Sequence, residues 1–149
     1  MFYVSIPGLY FYLKKDERTR VVVTVGDEIL VLKGWYGSNK WMLPGGGMHK
    51  GEGRTEGAAR ELREETGIVV HPSRLTYVAS GTVRDSYGFK INHHIFTLAL
   101  DARPEVNISN SEISDHDWRK PEDLIADQKH VLKATRSTLA VWLDHQNLV

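Results

Sequence analysis

The chain has 149 residues, 41% of them hydrophobic and 26% charged, which suits one ordinary globular domain spanning 1–149 rather than a disordered or fibrous chain. Nineteen Lys and Arg balance nineteen Asp and Glu, which excludes a broadly basic nucleic-acid coat or an acidic tail. With no cysteine, disulfides, zinc–thiolate sites, iron–sulfur clusters and a thiol nucleophile are excluded, and the cytoplasm is the expected compartment. The apolar start Met1–Ile6 is broken by Pro7-Gly8 and has its positive charges after it, the wrong order for a signal peptide. No run of about 18 apolar residues exists to cross a membrane.

Val21–Val25 and Ile29–Leu32 are β-branched-rich runs around Gly26-Asp27-Glu28, the pattern of a hairpin. Gly34–Lys40 reads as a loop carrying Trp35 and Tyr36. Trp41-Met42-Leu43 is a brief strand ended by Pro44 and Gly45-Gly46-Gly47. A helix follows, with Thr55 as its expected N-cap, Glu56 in its first turn and Gly67 just past its end. Its core face is Ala58, Ala59, Leu62 and Thr66. Ile68-Val69-Val70 leaves the helix. Leu75–Val83 and Ile91–Leu100 read as strands about the turn-rich Asp85-Ser86-Tyr87-Gly88, and Asn107–Ser111 as a loop. Pro121-Glu122-Asp123-Leu124 opens helical sequence, and Asp127 to about His145 is expected to be mostly helical. The expectation is one mixed α/β domain.

Chemistry concentrates in Arg60-Glu61-Leu62-Arg63-Glu64-Glu65. On a helical wheel Glu61, Glu64 and Glu65 are expected within an arc of about 100°, opposite the Ala58/Leu62 face. Like charges at these spacings cost a helix a few tenths of a kcal/mol per pair. Three carboxylates are the ligand type that hard Mg2+ or Mn2+ prefers, with water and phosphate oxygens completing the shell. Arg60 flanks the arc and can brace a carboxylate through two parallel hydrogen bonds. Taken alone, the pattern is that of a solvated helix face. The lead-in shifts that balance, because three glycines follow a strand directly and Glu52 precedes the helix. Glycine lets backbone approach a ligand closely, and a peptide carbonyl there can join a metal shell.

This arrangement resembles the signature of the Nudix (MutT-like) hydrolase family: Gly, five residues, Glu, seven residues, then Arg-Glu-aliphatic-any-Glu-Glu-any-Gly-aliphatic. Gly46, Glu52, Arg60, Glu61, Leu62, Glu64, Glu65, Gly67 and Ile68 meet it without a departure. The resemblance implies an α/β/α sandwich around a mixed β-sheet. It implies Mg2+-dependent hydrolysis (Mn2+ as substitute) of the diphosphate linkage in a nucleoside diphosphate linked to another group, a nucleotide or nucleotide sugar among them. The products would be a nucleoside monophosphate and the phosphorylated remainder. It assigns metal binding to Glu61, Glu64 and Glu65 and to the carbonyl of Gly45, and orientation of a glutamate to Arg60. Glu112, six residues before Trp118, is the candidate for a late ligand or base. Glu64, Arg60 and Glu112 are thus the expected catalytic residues.

Gly46 and Gly47 are expected beside the substrate, with Trp35 and Tyr87 as loop aromatics able to stack a base. His93-His94 are strand neighbours and are expected to split, one packed and one exposed. No phosphate-loop motif, H-E-x-x-H or G-x-S-x-G occurs. ADP-ribose subfamilies often place a proline where this chain has Val83-Arg84, which counts against that substrate. The expected partner is a small nucleoside diphosphate derivative, with an RNA 5′ end as the one nucleic-acid exception and a homodimer left open. The rival function is a non-catalytic nucleotide-binding or regulatory domain of the same family.

Overall fold

β1 (Glu17–Val25) and β2 (Glu28–Gly34) form the expected hairpin, with Gly26 supplying the left-handed φ of +60° that its two-residue turn needs. The computed structural model describes residues 17–35, 39–84, 88–108 and 112–149. β1 and β2 stay paired only beside the turn, at Thr24–Ile29 and Val25–Glu28. Below it they part, and the glycine loop enters the gap. There Val21 N–H donates to the Pro44 carbonyl at 2.9 Å, and Thr19 N–H to that of Gly46 at 2.9 Å. On the side of β2 that β1 vacates, β3 (Trp41–Met42) pairs with Leu32 and Lys33.

After β3 come α1 (Arg54–Thr66), a single 3-10 turn at Pro72–Arg74, and the strands β4 (Thr76–Arg84) and β5 (Lys90–Leu100). β5 returns to lie parallel to β1 along its whole length, and β4 pairs antiparallel outside it. The sheet order is β3-β2-β1-β5-β4, with β6 (Ile113–Arg119) on the far edge of β2. α2 (Pro121–Ala126) and α3 (Lys133–Asn147) complete the fold.

Period-two alternation divides the core between the two sheet faces. Val21 and Val23 pack with Leu30, Leu32, Phe96 and the Ala58/Leu62 stripe of α1. Val22 packs with Ile29, Val31, Ile95, and Leu139 and Trp142 of α3. The mixed sheet between helices is the expected α/β sandwich. Among the described residues no helix is long and apolar enough to cross a membrane.

Three local expectations fail, and one strand goes unanticipated, for physical reasons. α1 begins at Arg54 behind an extended Gly53 with no side-chain cap, so its N-cap lies two residues ahead of the expected Thr55. β6 has the sequence ISDHDWR, too polar to announce a strand, yet the apolar β2 beside it supplies a ladder from Ile29 to Gly34. Asp127–Leu132 is no helix: Asp127 accepts from the His130 N–H at 2.9 Å, and Val131 bridges Trp41. His93 and His94 are both buried, at 3% and 4% exposure, because β5 lies inside the sheet with both faces covered. His94 Nε2 meets Glu17 at 2.6 Å.

Candidate active site

The gap between β1 and β2 is where the glycine loop meets α1. Gly45 has φ +139°, and a Cβ there would lie 2.1 Å from the Thr19 carbonyl oxygen, so only glycine fits. Its N–H points into the gap and donates to Glu65 Oε2 at 2.8 Å. Glu65 is 6% exposed. The expected arc opposite Ala58 and Leu62 is therefore wrong for this residue. Glu65 follows Ala58 by seven positions, two turns along the same stripe, and so faces inward. Burial raises its carboxyl from 4.5 to about 8, against the pull of the Gly45 amide and the Arg20 charge. The charges of Glu61 and Glu112 push it further up.

Glu61 lies beside Gly46, where a Cβ would come within 2.6 Å of the carboxylate. Glycine is again the residue that allows the approach. Burial raises the Glu61 carboxyl too; Arg60 opposes this, and the charges of Glu64 and Glu112 add to it. Glu64 is the solvent-facing member, with a side chain 47% exposed.

Arg60 ties these groups together. Its Nε and Nη2 hold the two oxygens of Glu52 at 2.6 and 3.1 Å, the parallel grip anticipated for this arginine, though on the loop glutamate rather than a helix one. Its Nη1 donates to Glu61 and Glu64, each at 3.0 Å, and Nη2 also reaches the Gly47 carbonyl at 3.0 Å. Hydrogen bonding to Arg60 draws the Glu52 carboxyl below its usual range, and Glu52 in turn keeps Arg60 protonated. Glu52 also accepts from the His49 N–H at 2.8 Å, closing the loop before α1.

Glu112 immediately precedes β6, exposed, and its charge reaches both Glu61 and Glu65. Its carbonyl accepts from the Trp35 N–H at 2.9 Å, so the 66%-exposed Trp35 sits beside it. Gly46 and Gly47 lie against β1, their carbonyls bonded to Thr19 and Arg60. Tyr87 falls outside the described residues. Sequence reasoning passed over Arg20, whose charge acts directly on Glu65. Its place just before the Val21–Val25 run was the available signal.

The site thus gathers five carboxylates (Glu52, Glu61, Glu64, Glu65, Glu112), three of them bonded to Arg60 and one, Glu65, under the charge of Arg20. Among the described residues no three such side chains converge on one point. As they stand, the oxygens of Glu61 and Glu64 turn to Arg60, and those of Glu65 to Gly45. The donor set nonetheless fits a hard divalent cation. It is all oxygen, carries excess negative charge, and includes a buried carboxyl that a cation would hold ionised.

A family model described as NUDIX domain matches residues 14–142. Similar proteins include the "Uncharacterized Nudix hydrolase YvcI" of Bacillus subtilis, 31% identical over 71% of this chain and 66% of its own length, just short of two thirds. The "Nucleoside triphosphatase NudI" of Escherichia coli is 37% identical over 67% of this chain and 74% of its own. Among solved structures, a MutT NUDIX hydrolase from Burkholderia pseudomallei superposes with a TM-score of 0.71 at 21% identity, covering 83% of this chain and 95% of that one. A C. elegans Ap4A hydrolase gives 0.71 at 20% identity, covering 89% and 98%. At such identities the structural likeness speaks for the fold alone. The family match over most of the chain, together with the complete glutamate–arginine constellation, makes this protein a member of the Nudix hydrolase family.

Proposed function

We propose that the chain hydrolyses the diphosphate linkage of a nucleoside diphosphate derivative, a nucleoside triphosphate included, with Mg2+ or Mn2+ held by Glu61, Glu64, Glu65 and the carbonyl of Gly45. The observation that carries this reading is Arg60, gripping Glu52 with two bonds while touching Glu61 and Glu64, beside a carboxyl buried on the Gly45 amide. A solvated helix face would not bury a carboxylate at the cost that Glu65 incurs. The name of the NudI relative points to nucleoside triphosphates and that of the Ap4A hydrolase to dinucleoside polyphosphates, so the diphosphate linkage is the common element.

Divalent cation bound here supplies positive charge against the diphosphate and lowers the pKa of attacking water. The chain's own residues do the rest. Arg60 keeps Glu61 and Glu64 oriented, and it remains charged because Glu52 occupies its other edge. Gly46 and Gly47 let the loop backbone lie close to the substrate, since neither carries a Cβ. Glu112 accepts the water proton from a solvent-facing position within reach of the charges of Glu61 and Glu65, with Glu64 the other group exposed enough to do so. Trp35, beside Glu112, offers a ring for a base at the rim.

Incubation with a panel of diphosphate substrates in 18O-labelled water tests this. The label should enter a phosphate oxygen of one product, and only with Mg2+ or Mn2+ present. Ligands that raise the melting temperature yet return unhydrolysed across the whole panel would make the chain a binding-only domain.

A further inference from the structure

The strands at the borders of the sheet differ in how they are protected. β3 is two residues long, and β6 carries Asp115, Asp117 and Arg119 among its seven residues. Shortness and charge are what keep a sheet edge from pairing with another chain. β4 has neither. It runs for nine residues, Thr76–Arg84, with no proline, no lysine and no charge before Arg84 at its end. Among the described residues no strand pairs with its outer side. Its one irregularity falls between Tyr77 and Ala79 and leaves residues 79–84 in unbroken register with β5.

Exposed apolar surface gathers at this edge. Tyr77 on β4 is 46% exposed, Phe89 at the turn into β5 is 55% exposed, and Val141 on α3, the helix that packs over β4, is 39% exposed. Along the regular stretch the side chains alternate between a half-buried face (Ala79, Gly81, Val83) and an exposed polar one (Ser80, Thr82). Gly81 stands at its centre. A Cβ built there meets no atom within 4 Å, and its φ is not left-handed, so nothing in the described residues calls for glycine. Glycine inside a strand otherwise marks close approach by another backbone. The stretch around Gly81 is also its own complement. Reversed against a copy of itself, it sets Ala79 against Val83 and Ser80 against Thr82, apolar to apolar and hydroxyl to hydroxyl.

We propose that β4 is the interface of a homodimer: two copies pair β4 antiparallel about a two-fold axis at Gly81, and the sheet continues from one molecule into the next. Such a contact uses the same surface on both copies and so closes at two chains. The backbone groups on the outer side of β4 gain partners, as they do when a strand is added to a sheet edge. Pairing also brings the Tyr77 end of each strand to the Arg84 end of the other, beside Phe89, where guanidinium and phenol ring attract. The gap that holds Glu65 lies between β1 and β2, with β1 and β5 between it and β4, so pairing leaves it open. The dimer therefore stands apart from the diphosphate reading.

Sedimentation equilibrium across the micromolar range tests it. The wild type should approach twice the 16.9 kDa of one chain. Ser80→Lys combined with Thr82→Lys sets like charges directly opposite each other across the axis and should weaken association by at least about tenfold. Both positions are exposed, so the melting temperature should stay within a few degrees of wild type. Ser80→Lys combined with Thr82→Glu faces each ammonium with a carboxylate and should restore the dimer. Amide exchange over residues 79–83 of the wild type should slow as concentration rises, a readout that needs no variant to fold. A monomeric wild type overturns the pairing and leaves β4 to a strand from another protein or to none. A dimer that survives the first pair of substitutions, or that forms without added protection at 79–83, also overturns it. If the second pair is as monomeric as the first, the axis at Gly81 is wrong. Hydrolysis per chain should be equal in all three proteins, so failure of the dimer and failure of the diphosphate reading are told apart.

Discussion

Glu65→Gln tests the site through stability rather than turnover. Gln keeps the shape and still offers Gly45 N–H an oxygen, but it cannot ionise. In the metal-free protein the Glu65 carboxyl is raised by burial from 4.5 to about 8. Below pH 4.5 it is protonated whether the chain is folded or not, and contributes nothing to the pH dependence. Between 4.5 and about 8 the folded state keeps a proton that the unfolded chain has lost, so stability falls as pH rises. Above 8 the full cost of a buried charge is present. At about 1.4 kcal/mol per pH unit the ceiling is on the order of 5 kcal/mol, and relaxation of the site will reduce it to roughly half. For a domain of this size 1 kcal/mol moves the melting temperature by about 2–4 °C, so the variant should melt roughly 5–10 °C above wild type at pH 9. Near pH 5 the two should coincide. Thermal melts in chelator from pH 5 to 9 measure this directly. Mg2+ at pH 9 should then recover much of the difference for wild type and little for the variant, because a cation rewards only the ionised carboxyl. Parallel pH profiles for the two proteins would refute the burial argument. Stabilisation confined to pH 5 would contradict its sign.

Three further outcomes follow from the geometry. Arg60→Lys keeps a charge but loses the paired grip on Glu52, so kcat/KM should fall by about a hundredfold and the melting temperature by a few degrees; steady-state kinetics with a melt decides it. Glu112→Gln, at an exposed position, should fold normally and lose about a hundredfold or more in kcat with KM nearly unchanged. A fully active variant would move the base to Glu64. Gly45→Ala must fit a methyl 2.1 Å from the Thr19 carbonyl at φ +139°, which should cost about 3 kcal/mol or more in a urea titration.

The elements that were legible in the sequence are those whose own residues carry the signal. Val21–Val25 announces a strand wherever it lies, and Gly67 ends its helix at φ 74°, the conformation that glycine accepts at least cost. β6 was invisible because its signal belongs to its neighbour: ISDHDWR becomes a strand only by completing β2. The fate of His93 and His94 likewise depended on β5 being an interior strand, which no local pattern encodes. At the site, residue identity and spacing were readable, but depth was not. Glu65 looked like one more surface charge until Gly45, twenty positions earlier, met it inside the fold. Arg60 was readable as a brace, and its preference for Glu52 over a helix glutamate was a matter of loop geometry.

The parallel pairing of β1 with β5 has a consequence for the order in which this molecule assembles. Glu17 lies against Asn92 and Val25 against Leu100, each pair separated by seventy-five positions along the chain. The stretch between them includes the glycine loop and the whole of α1. A chain synthesised only as far as Arg84 would already hold Gly45, Arg60 and every glutamate of the helix, yet it would lack the strand that shelters the far edge of β1. Closing so long a loop must precede any return from the contacts it makes, and topologies of this kind form slowly. The glutamates of α1 lie close together in the chain, but the sheet on which α1 packs is completed only by this long-range pairing. Until β5 arrives, the core beneath α1 lacks Phe96 and Leu98.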